Sequence, residues 1–208
     1  MNLQAPMTSI RARRFSKLTL VACCAALAAC ATQIKLATTD NPPPSKKFSA
    51  FNRFELKEIE LASDYEAHAA NQKATRKIQE HFHTRMQPVV DEWNTRSKAR
   101  GSTLLIEPRI EQIKFIGIGA RIWVGPLAGS SAVHMKVRYV DKHSGEVIAE
   151  PEFYQRAAAL SGATTFGYQD NDMLYRIVSL VTRYTTNNYH QAVGGESGGT
   201  ADARSNER

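Results

Sequence analysis

The sequence predicts an α+β domain: a small, mainly antiparallel sheet packed with one long helix and a C-terminal helix. Two observations point to helices, since apolar residues recur at helical spacing at Ile78, Phe82, Met86, Val89, Val90 and Trp93, and again at Leu174, Ile177, Val178, Leu180, Val181 and Tyr184. A third points to strands, because the segments before and between those stretches alternate apolar and polar residues and end in turn-forming residues. The order strand, long helix, several strands, helix is an α+β order.

Phe51 to Leu61 alternates imperfectly, with Phe54, Leu56, Ile59 and Leu61 as its apolar positions, and is expected as a strand. Asp64 offers an N-cap to a helix from Tyr65 to about Arg96. Pro88 removes a backbone donor within it and predicts a kink or break near Gln87. Leu104 to Ile116 reads as extended and bent at Pro108. Ala132 to Val140 places Val133, Met135, Val137 and Tyr139 on one face and His134, Lys136 and Arg138 on the other, a half-buried strand. Asp141-Lys142-His143-Ser144-Gly145 is a hairpin loop whose glycine can take a positive φ. Val147, Ile148, Phe153 and Tyr154 continue in a partner strand, with a bulge or an edge position predicted at Glu150-Pro151-Glu152. Residues 161–172 are a small-residue loop, after which Asp170 or Asn171 caps the last helix, which ends before Asn187-Asn188.

The N-terminus carries an address. Arg11, Arg13, Arg14 and Lys17 precede an apolar run from Leu18 to Ala29, and the small residues Ala28 and Ala29 stand just before Cys30. The run is too short to span a bilayer as a helix, which takes about 20 residues. Leu27-Ala28-Ala29-Cys30 resembles the bacterial lipobox, whose cysteine sulfur is alkylated by a diacylglycerol and becomes the new N-terminus after cleavage. Leu20-Val21-Ala22-Cys23 fits the same pattern but leaves only the five apolar residues from Leu18 to Ala22 as the hydrophobic region. The expected lipidation site is therefore Cys30, and residues 1–29 are the signal peptide. Ala31, rather than an Asp, follows Cys30, and by resemblance to Gram-negative sorting this implies the inner leaflet of the outer membrane, facing the periplasm.

Processing at Cys30 would leave 179 of 208 residues, enough for one domain with a real core. The leader holds four of the 27 basic residues and no acidic ones, so the formal charge falls from +7 to +3. The remaining basic residues are dispersed among acids, as in Phe54-Glu55-Leu56-Lys57-Glu58, which argues against nucleic acid as a partner because phosphate binding needs a concentrated basic face. All three cysteines (Cys23, Cys24, Cys30) lie in the leader or at the lipidation point, which excludes thiol catalysis and Cys-ligated zinc in the domain. Residues 30–47 form a lipidated Cys followed by a tether rich in proline at Pro42-Pro43-Pro44; the 17 residues from Ala31 to Lys47 reach at most about 50–60 Å. The domain is expected over residues 48–193, and 194–208 is read as a disordered tail.

Within the glycine-dense stretch from Gly117 to Ser131, the loop Gly125 to Ser131 is the candidate binding surface, with Gly125, Gly129, Ser130 and Ser131, and Arg121 beside it, as candidate residues, because bare backbone amides permit close approach of a ligand or a second chain. It is not a Walker loop, since no Gly-Lys-Ser/Thr follows. A flexible connection or bulge between two strands is the commoner meaning of such a composition. Trp123 beside Arg121 offers a stacking face, although a core role is the commoner one for Trp. His81 and His83 stand about 200° apart around a helix axis and do not converge on one metal. No catalytic residues, cofactor or metal site are nominated.

Gly119-Ala120-Arg121, then Gly125-Pro126-Leu127-Ala128-Gly129-Ser130-Ser131, then Tyr139-Val140-Asp141-Lys142-His143-Ser144-Gly145-Glu146 resemble a pattern in uncharacterised bacterial lipoproteins, the domain of unknown function 4410 family. The resemblance would span about Phe51 to Tyr189, with its motifs confined to Gly117–Tyr154. Pro126 and Leu127 depart from the plainer glycine-alanine turn of that pattern, and the family brings no catalytic residues to carry over. The expected function is an outer-membrane lipoprotein whose domain binds an envelope protein or a second copy of itself. The alternatives are an envelope hydrolase or transferase using Arg121, Asp141 and the glycine loop, and an accessory lipoprotein of a transporter.

Overall fold

The computed structural model describes residues 40–96, 101–116, 130–157 and 168–200. Its elements are β1 (Asp40–Asn41), β2 (Arg53–Leu56), β3 (Glu60–Leu61), α1 (Ala69–Arg96), β4 (Thr103–Lys114), β5 (Ala132–Asp141), β6 (Val147–Ala149), β7 (Glu152–Arg156), α2 (Tyr168–Asn187), β8 (Gly195–Glu196) and β9 (Gly198–Thr200). The class is α+β, as predicted. One sheet runs β2-β4-β5-β7-β9, with β3 beside β4 and β6 beside β5; β1 and β8 form a separate pair. β4, β5, β6 and β7 pair antiparallel, while β2 and β3 join β4 and β9 joins β7 in parallel.

Both helices cover one face of the sheet. Leu104, Ile106, Ile110 and Ile113 of β4, and Val133, Met135, Val137 and Tyr139 of β5, are buried against Ile78, Phe82, Met86, Val90 and Trp93 of α1 and Leu174, Ile177, Val178, Val181 and Tyr184 of α2. The alternation read in residues 132–140 is thus the observed one. Phe48 stacks on Tyr139 at 4.6 Å, and Trp93 stacks on Tyr189 at 4.1 Å. Truncating a ring of this kind to Ala typically costs about 3–5 kcal/mol.

Pro108 does not bend its segment: β4 is continuous from Thr103 to Lys114 and interior to the sheet. Proline is tolerated here because the neighbouring strand is interrupted. β2 pairs with β4 up to Leu56↔Ile106, with the Lys57 amide still donating to the Ile106 carbonyl, β3 resumes at Glu60↔Arg109, and Glu58 and Ile59 leave the ladder opposite the missing donor. The freed amide of Ile59 donates to Gln79 Oε1 at 2.7 Å. A register shift between Ile110 and Gln112 then returns Ile113 to the helix-covered face.

α1 also runs through its proline without a break. Pro88 and Thr84, whose carbonyl loses its i+4 partner, are both exposed, so the defect faces water. The helix starts at Ala69 rather than Tyr65, and Asp64 sits in a separate 3-10 turn, Ser63–Tyr65. Asn71 holds that approach: its Nδ2 donates to the Tyr65 carbonyl and its Oδ1 accepts the Phe115 amide. α2 begins at Tyr168, so Asp170 and Asn171 lie inside its first turn instead of capping it. Arg85 spans the two helices, with its guanidinium 4.0 Å from the Tyr175 ring centroid and NH1 donating to Ser179 Oγ.

The hairpin after β5 forms as read, with Gly145 at φ +73°. The predicted partner strand is split into β6 and β7 around Glu150-Pro151, where the Val137 amide reaches the Pro151 carbonyl at 3.1 Å. β7 is not an edge, since β9 lies along it.

The tether and tail boundaries move. Residues 40–47 were expected in the tether and 194–200 in a disordered tail, yet both are built into the fold. Asp40 pairs with Glu196 and Asn41 with Gly195, Pro44 is buried, and Ser45 donates its amide to the Ile148 carbonyl. Asn188 binds the turn ahead of β8, accepting from the amides of Val193 and Gly194 and donating to the carbonyls of Tyr184 and Gly194. Gly198, at φ +107°, lets β9 approach so closely that a Cβ would sit 2.1 Å from the Tyr154 carbonyl oxygen. Strands of two or three residues made of Gly and polar residues have no periodicity to read.

Candidate functional site

Of the residues nominated by sequence, Cys30, Arg121, Gly125 and Gly129 lie outside the described residues. Ser130 is half-buried and Ser131 fully buried. Ser131 works as a joint: its Oγ accepts the Ile116 amide at 3.0 Å, and its carbonyl accepts the Ala157 amide at 2.9 Å. It thereby ties together the end of β4, the start of β5 and the end of β7. Arg176 fixes the start of α2 to the same place, with Nε donating to Gln155 Oε1 at 3.0 Å, NH2 to the Arg156 carbonyl, and NH1 paired with Asp172. We call this end the loop pole, because residues 117–129 and 158–167 both attach to it.

Asp141 belongs to the other end. Ten residues of β5 put it about 30 Å from Ser131. Its carboxylate is spent on the hairpin, Oδ1 accepting the amides of His143 at 2.9 Å and Ser144 at 3.4 Å. The bond from His143 is the main reason that the Asp141 pKa lies below the usual aspartate value. Beside it an open depression of about 500 Å³ is lined by Gly101, Ser102, Thr103, Asp141, Lys142 and His143. Lys142 there is held by both oxygens of Glu55, at 2.7 and 2.9 Å, and that contact lowers the Glu55 pKa. Of the groups that the hydrolase or transferase alternative uses, Asp141 and the loop-end serines Ser130 and Ser131 are described, and the serines stand at the opposite end of β5 from Asp141.

Between the poles, the sheet face away from the helices carries a cross-strand ladder of charge. His134 Nε2 lies 3.2 Å and Lys136 Nζ 3.3 Å from Glu152; Arg138 lies 3.3 Å from Glu107 and 3.4 Å from Glu150; Arg109 lies 3.6 Å from both Glu60 and Glu111. Such half-exposed pairs are worth about 0–1 kcal/mol each, so the ladder mainly makes the open face charge-compensated. At the loop-pole end of this face the pattern changes. Lys114 and Arg156 flank Ala132 in register, and neither has an ion pair among the described residues. Sequence reading overlooked both, because a lone cation at a strand end looks like ordinary surface until register aligns it with another.

Among the described residues no group of three or more His, Cys, Asp or Glu could hold a metal ion, and no helix is long and apolar enough to cross a membrane. No family model matches the sequence. No curated protein matches it. Solved structures that align with it include the PelC dodecamer of Paraburkholderia phytofirmans, at 13% identity and TM-score 0.34 over 68% of this chain and 94% of that one. A candidate lipoprotein of Caulobacter crescentus aligns at 9% identity and TM-score 0.34 over 69% and 90%. A Xanthomonas campestris protein of the domain of unknown function 330 family aligns at 9% identity and TM-score 0.36 over 74% and 92%. The neighbours thus include a candidate lipoprotein and a member of an uncharacterised family, and likenesses this distant carry no weight on what the chain does.

Proposed function

We propose that the chain is an outer-membrane lipoprotein, anchored through Cys30 on the periplasmic side, whose domain has a binding or envelope-assembly role rather than a catalytic one. The observation that carries it is the leader: four basic residues, an apolar run, and Leu27-Ala28-Ala29-Cys30 at its end. Membership of the domain of unknown function 4410 family belongs to the same proposal and rests on the quoted glycine, arginine and hairpin motifs. The partner we favour is an envelope protein or a second copy of the chain, met through the loop that carries Arg121, Gly125, Gly129, Ser130 and Ser131. The anchor supports this reading because it holds the domain near one membrane, where weak contacts gain from high local concentration.

Crosslinking with mass spectrometry in native envelopes tests it, combined with metabolic labelling by a clickable palmitate analogue. Acyl label lost in Cys30→Ala, with crosslinks from the loop to one envelope protein or to a second copy, is the expected result. Crosslinks to an inner-membrane ATPase would favour the transporter-accessory alternative. A labelled protein with no enriched partner and a monomeric mass would overturn the binding role.

A further inference from the structure

We propose that the seam between α1 and α2 is a binding site for a phosphate monoester, centred on Arg85. The two helices run parallel, since His81 and Arg85 of α1 meet Tyr175 and Ser179 of α2 in the same order and Trp93 meets Tyr189 beyond them. A four-residue step keeps successive side chains on one helix face. Lys77, His81 and Arg85 therefore form one wall of the seam, and Asn171, Tyr175 and Ser179 the other. Lys77, His81, Arg85 and Ser179 are half-buried, whereas Asn171 and Tyr175 are exposed at its mouth. The α1 wall is basic, and the α2 wall carries only neutral hydrogen-bonding groups.

Arg85 is held in place but not neutralised. Nη1 donates to Ser179 Oγ at 2.9 Å, Nη2 donates to the Tyr175 hydroxyl, and the guanidinium carbon lies 4.0 Å from the Tyr175 ring centroid. Ser179 Oγ gives its own proton to the Tyr175 carbonyl at 2.9 Å. The phenol differs, because its oxygen accepts from Arg85 while its proton has no acceptor among the described residues. An arginine bound in this way keeps further N–H groups to donate. The His81 ring meets the Tyr175 ring edge-on, centroids 6.0 Å apart, and an imidazole offers an N–H in either charge state. The seam thus gathers donors with no carboxylate to receive them.

Charge supplies a separate observation. The other cations of the two helices, Arg96, Arg176 and Arg183, each pair with a carboxylate. Lys73, Arg76, Lys77 and Arg85 pair with none among the described residues, and Glu80 is the one acid of α1 ahead of Asp91. The open sheet face has the opposite habit, since Lys136 and Arg138 there each meet two glutamates. A half-buried cation without a counter-ion is costly unless a ligand supplies one. A phosphate monoester fits this donor set better than a carboxylate does. It carries about −1.5 to −2 charge at neutral pH and three acceptor oxygens, which answers two permanent cations and a phenol approaching from two sides.

Isothermal titration calorimetry of the full chain in detergent, at neutral pH and constant ionic strength, tests the site. The probes are inorganic phosphate, glycerol 3-phosphate, dihexanoyl phosphatidic acid and acetate. Saturable binding of the phosphate probes, with none for acetate, is the expected result. Equal affinity for the glycerol and dihexanoyl monoesters assigns a water-soluble ligand, and about tenfold tighter binding of the phosphatidic acid assigns a lipid head group; either outcome supports the site. Arg85→Lys keeps the charge and loses the planar fork, and should weaken glycerol 3-phosphate by about tenfold. Because Arg85 also clamps the helices, Lys77→Gln is the second variant. Lys77 makes no hydrogen bond or ion pair among the described residues, so its loss should weaken binding by about threefold or more at an unchanged thermal midpoint. Arg138→Gln removes the same charge on the far face of the sheet and should stay within about twofold of wild type. Absence of saturable phosphate binding, acetate bound as tightly as phosphate, or binding unchanged in both Arg85→Lys and Lys77→Gln overturns the proposal.

Discussion

Asn41 binds Glu152 through a closed pair of hydrogen bonds: its Nδ2 donates to the Glu152 carbonyl and its Oδ1 accepts the Glu152 amide, each at 2.8 Å. A side-chain amide here takes the place of a strand and locks the incoming arm to the central sheet across 111 residues of sequence. Asn94 repeats the device at the opposite side of the sheet on both backbone groups of Phe54, at 2.8 and 2.9 Å. Replacing Asn41 by Ala leaves two partly buried backbone groups unpaired. The expected cost is about 1–3 kcal/mol, read as a lower urea midpoint at unchanged slope. Asn41→Asp keeps the acceptor and loses the donor, and should fall between. Wild-type stability in Asn41→Ala would mean that the arm is not held to β7.

Gly198 and Gly199 should separate sharply. A Cβ at Gly198 meets the Tyr154 carbonyl, Leu180 and Gln155, and φ is +107°, while a Cβ at Gly199 meets nothing within 4 Å. Gly198→Ala is expected to cost at least about 1–3 kcal/mol, and Gly199→Ala to stay within about 0.5 kcal/mol of wild type. Thermal unfolding of the two variants side by side decides it; equal midpoints would show that β9 does not seat on β7.

The hairpin carboxylate makes stability depend on pH in a defined direction. The amide of His143, then the amide and hydroxyl of Ser144, hold the Asp141 pKa below its ordinary 3.8. A depressed folded-state pKa contributes stability that is fully present above the unfolded value and is lost as pH falls through the folded one. Wild type should therefore exceed Asp141→Asn in urea midpoint above about pH 4, and the two curves should converge on further acidification. Parallel curves would contradict the assignment.

Tyr139 titrates at the opposite extreme. Thr185 Oγ1 donates to the Val181 carbonyl at 2.7 Å, so the 2.5 Å contact between the hydroxyls is made by Tyr139 donating to Thr185. Burial raises the pKa of Tyr139, and of Tyr184 beside it, well above the ordinary tyrosine value of 10.0. Both should stay protonated in the folded protein at about pH 11, so stability falls as pH climbs past about 10, where the unfolded chain ionises and the folded one does not. Phenolate absorbance should show a fraction that appears only with unfolding. Complete ionisation while the fold persists would contradict the packing.

Periodic elements were legible in the residues and the joints were not. Val133, Met135, Val137 and Tyr139 show their buried face in sequence because side chains on a strand alternate, and Leu174 to Tyr184 show theirs because helical spacing repeats. Pro108 misled because its missing donor is excused by a gap in the neighbouring ladder, at Glu58 and Ile59, which no local pattern announces. The arm and the β8–β9 segment were missed because their order comes from single asparagines, Asn41 and Asn188, in pairings that span long or irregular stretches. At the candidate site, Ser131 drew notice for its glycine-rich surroundings, whereas its hydrogen bonds make it a joint between strand ends. Lys114 and Arg156 acquire meaning only through the register that sets both against Ala132.

The proposed function rests above all on Cys30. Intact mass spectrometry of the protein extracted from envelopes with detergent is the most direct measurement. A lipid anchor at Cys30 predicts a chain that begins at Cys30 and carries diacylglycerol on its sulfur, and a Cys30→Ala variant that retains its leader. A mature N-terminus at any other residue, or an unmodified cysteine at position 30, would contradict it.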